Sequence, residues 1–368
     1  MIRKRIELLC VVLFCLSLAK ARGAVFLSRA DLVYYKINPQ RFVMTQVSGN
    51  GKWLFGLEKT NHLALMAKKE FYLLRVFKIG KLSLKLVKTI PLSIGYISNE
   101  IYTPNGSHAL VEADWGAEFL FVNIKAGTVR VIFRHILGKP GFRGGNLLFY
   151  HHHHFYGNGY FYNKESLDID NALAEINPHK KGLAVFKKVL NIGKLQKNLA
   201  ISWGHQQAFT FFPPNHGYFI MTPLNFSKIH LIEADGPKKL KSLDKGLAFG
   251  GMAAASENGS ILYLVKHSAA VREVVLRERG SSNKKIVIYK GAAAYTYPFI
   301  SADGKTIVVA RLDLKVGRMS FFYAKEKNGF KLKPIPILQN RQMGTFRFSG
   351  NGKVFAFYNI TGIFAGKI

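Results

Sequence analysis

Cysteine is almost missing from this chain of 368 residues: there are two, Cys10 and Cys15. Beyond them no disulfide, thiol nucleophile or cysteine-ligated metal can form, so stability rests on an apolar core. Acidic residues are scarce too, with 21 Asp and Glu against 53 Lys and Arg, a formal net charge of +32. Charged residues make up only 20% of the chain, too few for a coiled coil, and 48% hydrophobic content excludes a disordered one. No apolar run after the first segment is long enough to span a bilayer. The sequence also lacks a G-x-S-x-G elbow, a phosphate-binding loop and an H-E-x-x-H pair, so no catalytic residue is assigned.

The first segment reads as an address. Arg3, Lys4 and Arg5 precede the apolar run Leu8–Leu18, and Ala19-Lys20-Ala21 supplies a small-x-small cleavage pattern. This is the layout of a secretory signal peptide over residues 1–21, too short for a spanning helix. Both cysteines lie inside it. The expectation is an exported, soluble protein, periplasmic or extracellular, with one domain over residues 22–368.

That domain repeats. A Ser/Thr-x-Asn/Asp-Gly turn followed by a strand-like run is read at Gly51, Gly106, Gly159, Gly217, Gly259, Gly304 and Gly352, with looser copies at Gly159 and Gly217. The gaps are 55, 53, 58, 42, 45 and 48, a period near 50. Asn or Asp followed by Gly tolerates positive φ and so builds tight hairpins, and the preceding hydroxyl can bond the turn backbone. A second hairpin fits in each period, for example around Gly80, Gly127, Gly182, Gly236, Asn283 and Gly329. Four antiparallel strands repeated about an axis are the blades of a β-propeller.

The expected fold is therefore all-β, a seven-bladed β-propeller. Its blades span about 41–94, 95–138, 139–194, 199–247, 248–291, 292–339 and 340–368. The last unit runs out of chain after three strands, and the run at 31–38 can complete it, closing the ring and pairing a bare edge.

At this point the turns resemble the WD-repeat-like propeller repeat of TolB-type exported proteins, which carries Ser-Pro-Asp-Gly-Lys ahead of a strand. Ser301-Ala302-Asp303-Gly304-Lys305 is the closest copy. The resemblance implies a propeller with a binding mouth on one face. It does not imply a role in the Tol system.

Strand alternation places the first–second and third–fourth strand turns at one end and the remaining connections at the other. The third–fourth turns are basic: Lys78, Lys81, Lys125, Lys180, Lys181, Lys238, Lys239, Lys284, Lys285, Lys325 and Lys327. Lys180, Lys181, Lys238, Lys239, Lys284 and Lys285 are the candidates for contacting a polyanion by electrostatic attraction, the competing reading being a merely solvated rim. The opposite end holds many of the acids, and there the aromatic and polar candidates for a binding mouth are Asp114, Trp115, Trp203, His205, Gln206, His267, Tyr295, Tyr297 and Asp313. For the aromatics, packing between blades competes with that reading.

The run His151–His154 offers a metal ion His151 and His153 on one strand face, with no third ligand in view, so no cofactor is assigned. Taken together, these readings describe an exported, monomeric binding or assembly scaffold. Its partner is a protein, a polysaccharide or an anionic lipid or polysaccharide surface, and nucleic acid is not expected. The competing reading is an exported propeller hydrolase, lactonase or oxidoreductase with a metal or polar centre at the channel mouth.

Overall fold

A computed structural model describes residues 32–35, 42–60, 70–80, 84–94, 96–114, 116–135, 141–151, 153–162, 169–191, 208–211, 218–222, 229–233, 240–244, 247–268, 271–278, 284–313, 315–342, 344–359 and 362–368. Strands dominate; helical structure among the described residues is confined to short 3-10 turns such as Gly182–Val185. This is the expected all-β class.

The strands form seven antiparallel sheets among the described residues, and within six of them the strands follow chain order. Sheet 1 holds Phe42–Val47, Trp53–Lys59, Glu70–Ile79 and Leu84–Ile94. Sheet 2 holds Ile97–Tyr102, His108–Ala113, Glu118–Asn123 and Thr128–Arg134. Sheet 3 holds Gly141–His151, His154–Tyr162, Ile169–Ile176 and Phe186–Asn191. Sheet 4 holds Ala208–Phe211, Tyr218–Thr222, Ile229–Glu233 and Leu240–Asp244. Sheet 5 holds Leu247–Ala255, Ile261–Lys266, Arg272–Arg277 and Lys285–Gly291. Sheet 6 holds Tyr295–Ile300, Thr306–Asp313 and Arg318–Lys325, with its fourth place split between Lys333–Pro334 and Arg341–Gln342. Sheet 7 is the exception in order. Its strands Thr345–Phe348, Val354–Asn359 and Gly362–Lys367 are joined by Leu32–Tyr35 from the start of the chain, with Leu32 opposite Gly366 and Tyr35 opposite Ile363.

Burial explains the composition. The second strand of sheet 1, Trp53–Lys59, is buried on both faces along its centre, which suits an apolar run better than an alternating one. Sheets therefore pack face to face. Phe55, Leu74 and Leu92 of sheet 1 meet Ala109, Val111 and Leu120 of sheet 2. Val47, Leu54 and Phe77 of sheet 1 also meet Val354, Ala356 and Ile363 of sheet 7. Each large side chain buried this way contributes roughly 1.5–3 kcal/mol. Fourth strands lose this cover; most of Thr128–Arg134 is exposed.

The repeated turn works through one buried hydroxyl. Ser301 Oγ donates to Asp303 Oδ1 (2.6 Å) and accepts from Thr306 N (2.9 Å), while Asp303 Oδ1 also accepts from Lys305 N (3.0 Å). Ser48, Thr103, Ser256 and Ser349 repeat the arrangement with Asn50, Asn105, Asn258 and Asn351. Gly352 closes its turn at φ 66°, a conformation that side chains rarely adopt.

These turns also bond to one another, sheet to sheet. Asn258 N donates to Ala302 O (3.2 Å), Ala302 N to Gly350 O (2.7 Å), Asn351 N to Gly49 O (2.9 Å) and Asn50 N to Pro104 O (2.9 Å). Two side-chain amides add to the belt, Asn258 Nδ2 to Asp303 O (2.7 Å) and Asn351 Nδ2 to Asn50 O (2.8 Å). The belt thus runs from sheet 5 through 6, 7 and 1 to sheet 2.

The expected third turn at Tyr156–Gly159 does not form. Those residues lie inside the strand His154–Tyr162, paired on both sides, with Asn158 opposite both Asn146 and Leu173. The chain reverses earlier, between His151 and His154, with His153 at φ 66°. Histidine is one of the side chains that tolerates this region, so the two-residue hairpin needs no glycine. The expected fourth turn, Pro214–Gly217, and the turns at Gly236 and Asn283 lie outside the described residues.

Candidate functional site

Because sheet 3 lacks the Ser-x-Asn-Gly turn, the turn at Thr103–Ser107 has no described neighbour to bond to on that side. A cleft of about 460 Å³ opens there instead, lined by the Thr103–Ser107 turn, His108, Phe121, Tyr150, His153, Phe155, Pro178 and His179. Its floor is the core shared by sheets 2 and 3, including Phe119, Phe133, Phe155 and Phe186. Arg130 of sheet 2 donates to Pro178 O and ties the two sheets beside the cleft.

The rings in it are ordered. His108 stacks on Phe121 (5.1 Å between centroids, 6° between planes), and His179 meets Phe121 edge-on (5.9 Å). His108 Nδ1 lies 2.8 Å from Ser107 Oγ. Burial, and secondarily the charge of His179, hold the His108 imidazole below its usual range. A second cleft of about 330 Å³ lies across the same turn, lined by Trp53, Val76, Val87, Lys88, Gly106, Ile124 and Lys125, and it shares Asn105 and Ser107 with the first. No Asp or Glu is among the described residues lining either cleft.

A different polar group lies on first strands. Glu100 of sheet 2 accepts a hydrogen bond from the Tyr102 hydroxyl (2.6 Å) and feels the charge of Arg347 from sheet 7. Burial drives the Glu100 carboxyl up to about 7, opposed by Tyr102 and Arg347. Burial likewise lowers the Arg347 guanidinium, with Glu100 opposing. Glu100 Oε1, Arg347 Nε and Thr45 Oγ1 have no hydrogen-bond partner among the described residues. Only 5% of Glu100 is exposed.

The expected site residues scatter. Asp114 is exposed at φ 50°, and its carboxylate accepts from Tyr96 N (3.0 Å), pinning a turn. His267 Nε2 sits 3.1 Å from Glu273 Oε2, in a group that also holds Lys290 (3.0 Å) and Lys285 (3.8 Å). Burial alone would raise the Glu273 carboxyl, but bonds from His267 and Lys290 bring it below its ordinary value. Tyr295 packs against Tyr289 (4.7 Å) and Phe322 (5.6 Å) between sheets 5 and 6. Tyr297 is exposed, and Asp313 accepts from Lys315 N (3.0 Å). Lys180, Lys181, Lys284 and Lys285 are exposed. His153 is exposed in the first cleft, and His151 ends the preceding strand. Among the described residues no three His, Cys, Asp or Glu side chains come together to hold a metal ion. Trp115, Trp203, His205, Gln206, Lys238 and Lys239 lie outside the described residues. His108, Phe121, Tyr150, Glu100 and Arg347 were not singled out by sequence; none belongs to a motif, and only packing brings them together.

No protein-family model matches the chain, and no curated protein sequence matches it. Solved structures do. An oligogalacturonate lyase in complex with manganese superposes at a TM-score of 0.58 with 9% identity, over 94% of this chain and 96% of that one. The β-propeller domain of Myceliophteria thermophila Cps50 (Swd1) superposes at 0.51 with 11% identity, over 89% and 98%. At such identities the likeness speaks for the fold alone. The fold is of the β-propeller type.

Proposed function

We propose that this chain is an exported, monomeric binding scaffold: a seven-bladed propeller whose ring is closed by Leu32–Tyr35, and which meets an anionic partner through its turn-bearing end. The pairing of Leu32–Tyr35 with the last strand, the shared core of sheets 7 and 1 and the bond from Asn351 to Gly49 support the closure. The apolar run Leu8–Leu18 behind three basic residues supports export.

The observation that carries the function is the turn-bearing end itself. Exposed Lys52, Lys125, Lys180, Lys181, Lys284 and Lys353 stand at that end, and Lys125 lines a cleft with no Asp or Glu among its described lining. Such an array raises the local concentration of anions. An enzyme reading finds less support, because Glu100, the described carboxyl best tuned for proton transfer, is sealed from substrate. Fold likeness does not choose between the two.

The test is retention of the purified protein on an acidic polysaccharide surface against a neutral one. Reversing Lys180, Lys181, Lys284 and Lys285 to Glu is expected to weaken retention at least tenfold, and added salt to weaken the parent's. Retention that ignores both changes would remove this reading.

A further inference from the structure

The belt gives a reason for the first cleft to sit where it does. At Asn258 and Asn351 the side-chain amide spans to the next turn's backbone carbonyl. Asn105 occupies the same place in its own turn. Its Oδ1 accepts from Thr103 Oγ1 (2.9 Å), Ser107 N (3.0 Å) and Ser107 Oγ (2.8 Å), which fixes the amide plane. Sheet 3 presents no such turn, so the Asn105 amide has no described acceptor and stands exposed on the ridge between the two clefts. A donor used elsewhere to hold the protein together is here left for something else.

The chemistry around that ridge is consistent along its length. On one side Lys88 and Lys125 line the wall beside the half-buried Trp53, and no carboxylate lies within ion-pair distance of either lysine among the described residues. Lys88 Nζ donates to the Lys125 backbone carbonyl (2.5 Å), which holds the Lys88 cation at the cleft. On the other side half-buried Tyr150 and Phe121 stand with His108 and His179. Both clefts fall in the range of about 300–1,000 Å³ usual for small-ligand sites. Ring faces next to hydroxyl and amide groups suit the C–H faces and hydroxyls of sugar rings, and unpaired cations suit acidic substituents on them. A nucleobase clamp would need two facing rings, whereas one face of Phe121 is already taken by His108.

We propose that the two clefts flanking the Thr103–Ser107 ridge form one continuous site for an acidic oligosaccharide, its sugar rings against Trp53 and Tyr150 and its acidic groups at Lys88, Lys125 and His179. This rests on the reading of the turn-bearing end as the binding end.

The experiment is calorimetric titration of the full chain with a uronic-acid hexasaccharide, its neutral counterpart, an acidic peptide and a short single-stranded DNA of equal charge. The expected result is 1:1 binding of the acidic sugar, weakened at least tenfold by Lys125→Glu and severalfold by His179→Ala. Lys327→Glu, exposed in the third–fourth connection of sheet 6 and absent from either cleft lining, leaves it unchanged, and the melting temperature of each variant stays at the parent value. Equal weakening by Lys125→Glu and Lys327→Glu would overturn the localised site while leaving the binding end intact. Equal binding of the neutral sugar, or binding only of the peptide or the DNA, would overturn the ligand class. Binding of no anion at all would remove both this site and the reading beneath it.

Discussion

Two junctions of the same construction end differently. Between sheets 6 and 7, Ser301 and Ser349 build equivalent turns and Ala302 N reaches Gly350 O, which joins the two sheets at this end. Between sheets 2 and 3, one partner turn is replaced by the His151–His154 reversal, and a cleft lined by rings and histidines takes the place of the bond. The repeat ties neighbouring sheets together turn to turn. Where one copy is lost the first cleft appears with no insertion to build it, while the second lies beside a junction whose turns are bonded through Asn50 N and Pro104 O.

The comparison is broken most severely at a sealed turn. A Cβ at Gly352 would stand 2.7 Å from the Ser301 Cβ, at a backbone angle that side chains avoid. Gly352→Val is expected to cost about 3 kcal/mol or more in denaturant unfolding. A loss below about 1 kcal/mol would show that the belt is loose.

Glu100 tests the inner side of the sealed arc. Its folded-state carboxyl is raised from 4.5 to about 7, so between those values the native chain holds a proton that the unfolded chain releases. Its contribution to stability therefore declines as pH rises through this window and levels off above it. Glu100→Gln removes that decline, so the stability difference between variant and parent should shift toward the variant by roughly 2–3 kcal/mol from pH 4.5 to 7.5. Parallel stability–pH curves would show that Glu100 is not buried as described.

Ser301→Ala removes a fully buried hydroxyl that makes two bonds and should cost about 1–2 kcal/mol. The unsealed junction should respond in the opposite sense. His153→Gly relieves a positive φ at an exposed position and should change stability by less than about 1 kcal/mol, in the stabilising direction. A loss comparable to that of Ser301→Ala would mean that the histidine hairpin also holds neighbouring sheets together.

Much of this is written in local chemistry. Ser-x-Asn-Gly announces its own hairpin because the hydroxyl, the carboxamide and the glycine φ act within five residues, and the turns at Ser48, Thr103, Ser256, Ser301 and Ser349 form as expected. The Asn158-Gly159 pair carries the same local preference and is overruled. Phe155 and Tyr156 bury into the sheet, and their pairing with Ile176 and Glu175 draws the following residues into the strand. The candidate site was hidden for a related reason. Its side chains come from sheets 1, 2 and 3, and its first cleft opens where a motif is missing, which no motif search reports. Glu100 feels the charge of Arg347 only because sheets 7 and 2 both flank sheet 1. Tyr295, an aromatic with polar neighbours in sequence, spends its ring on Tyr289 and Phe322.

Backbone hydrogen exchange with and without a saturating acidic hexasaccharide locates the ligand on the molecule. Slowed exchange is expected at residues 103–108, 121–125 and 177–181, with none at Asp313 or His267 on the opposite end. Protection around Asp313 and His267, or protection spread evenly over all the lysine-bearing turns, would contradict that placement.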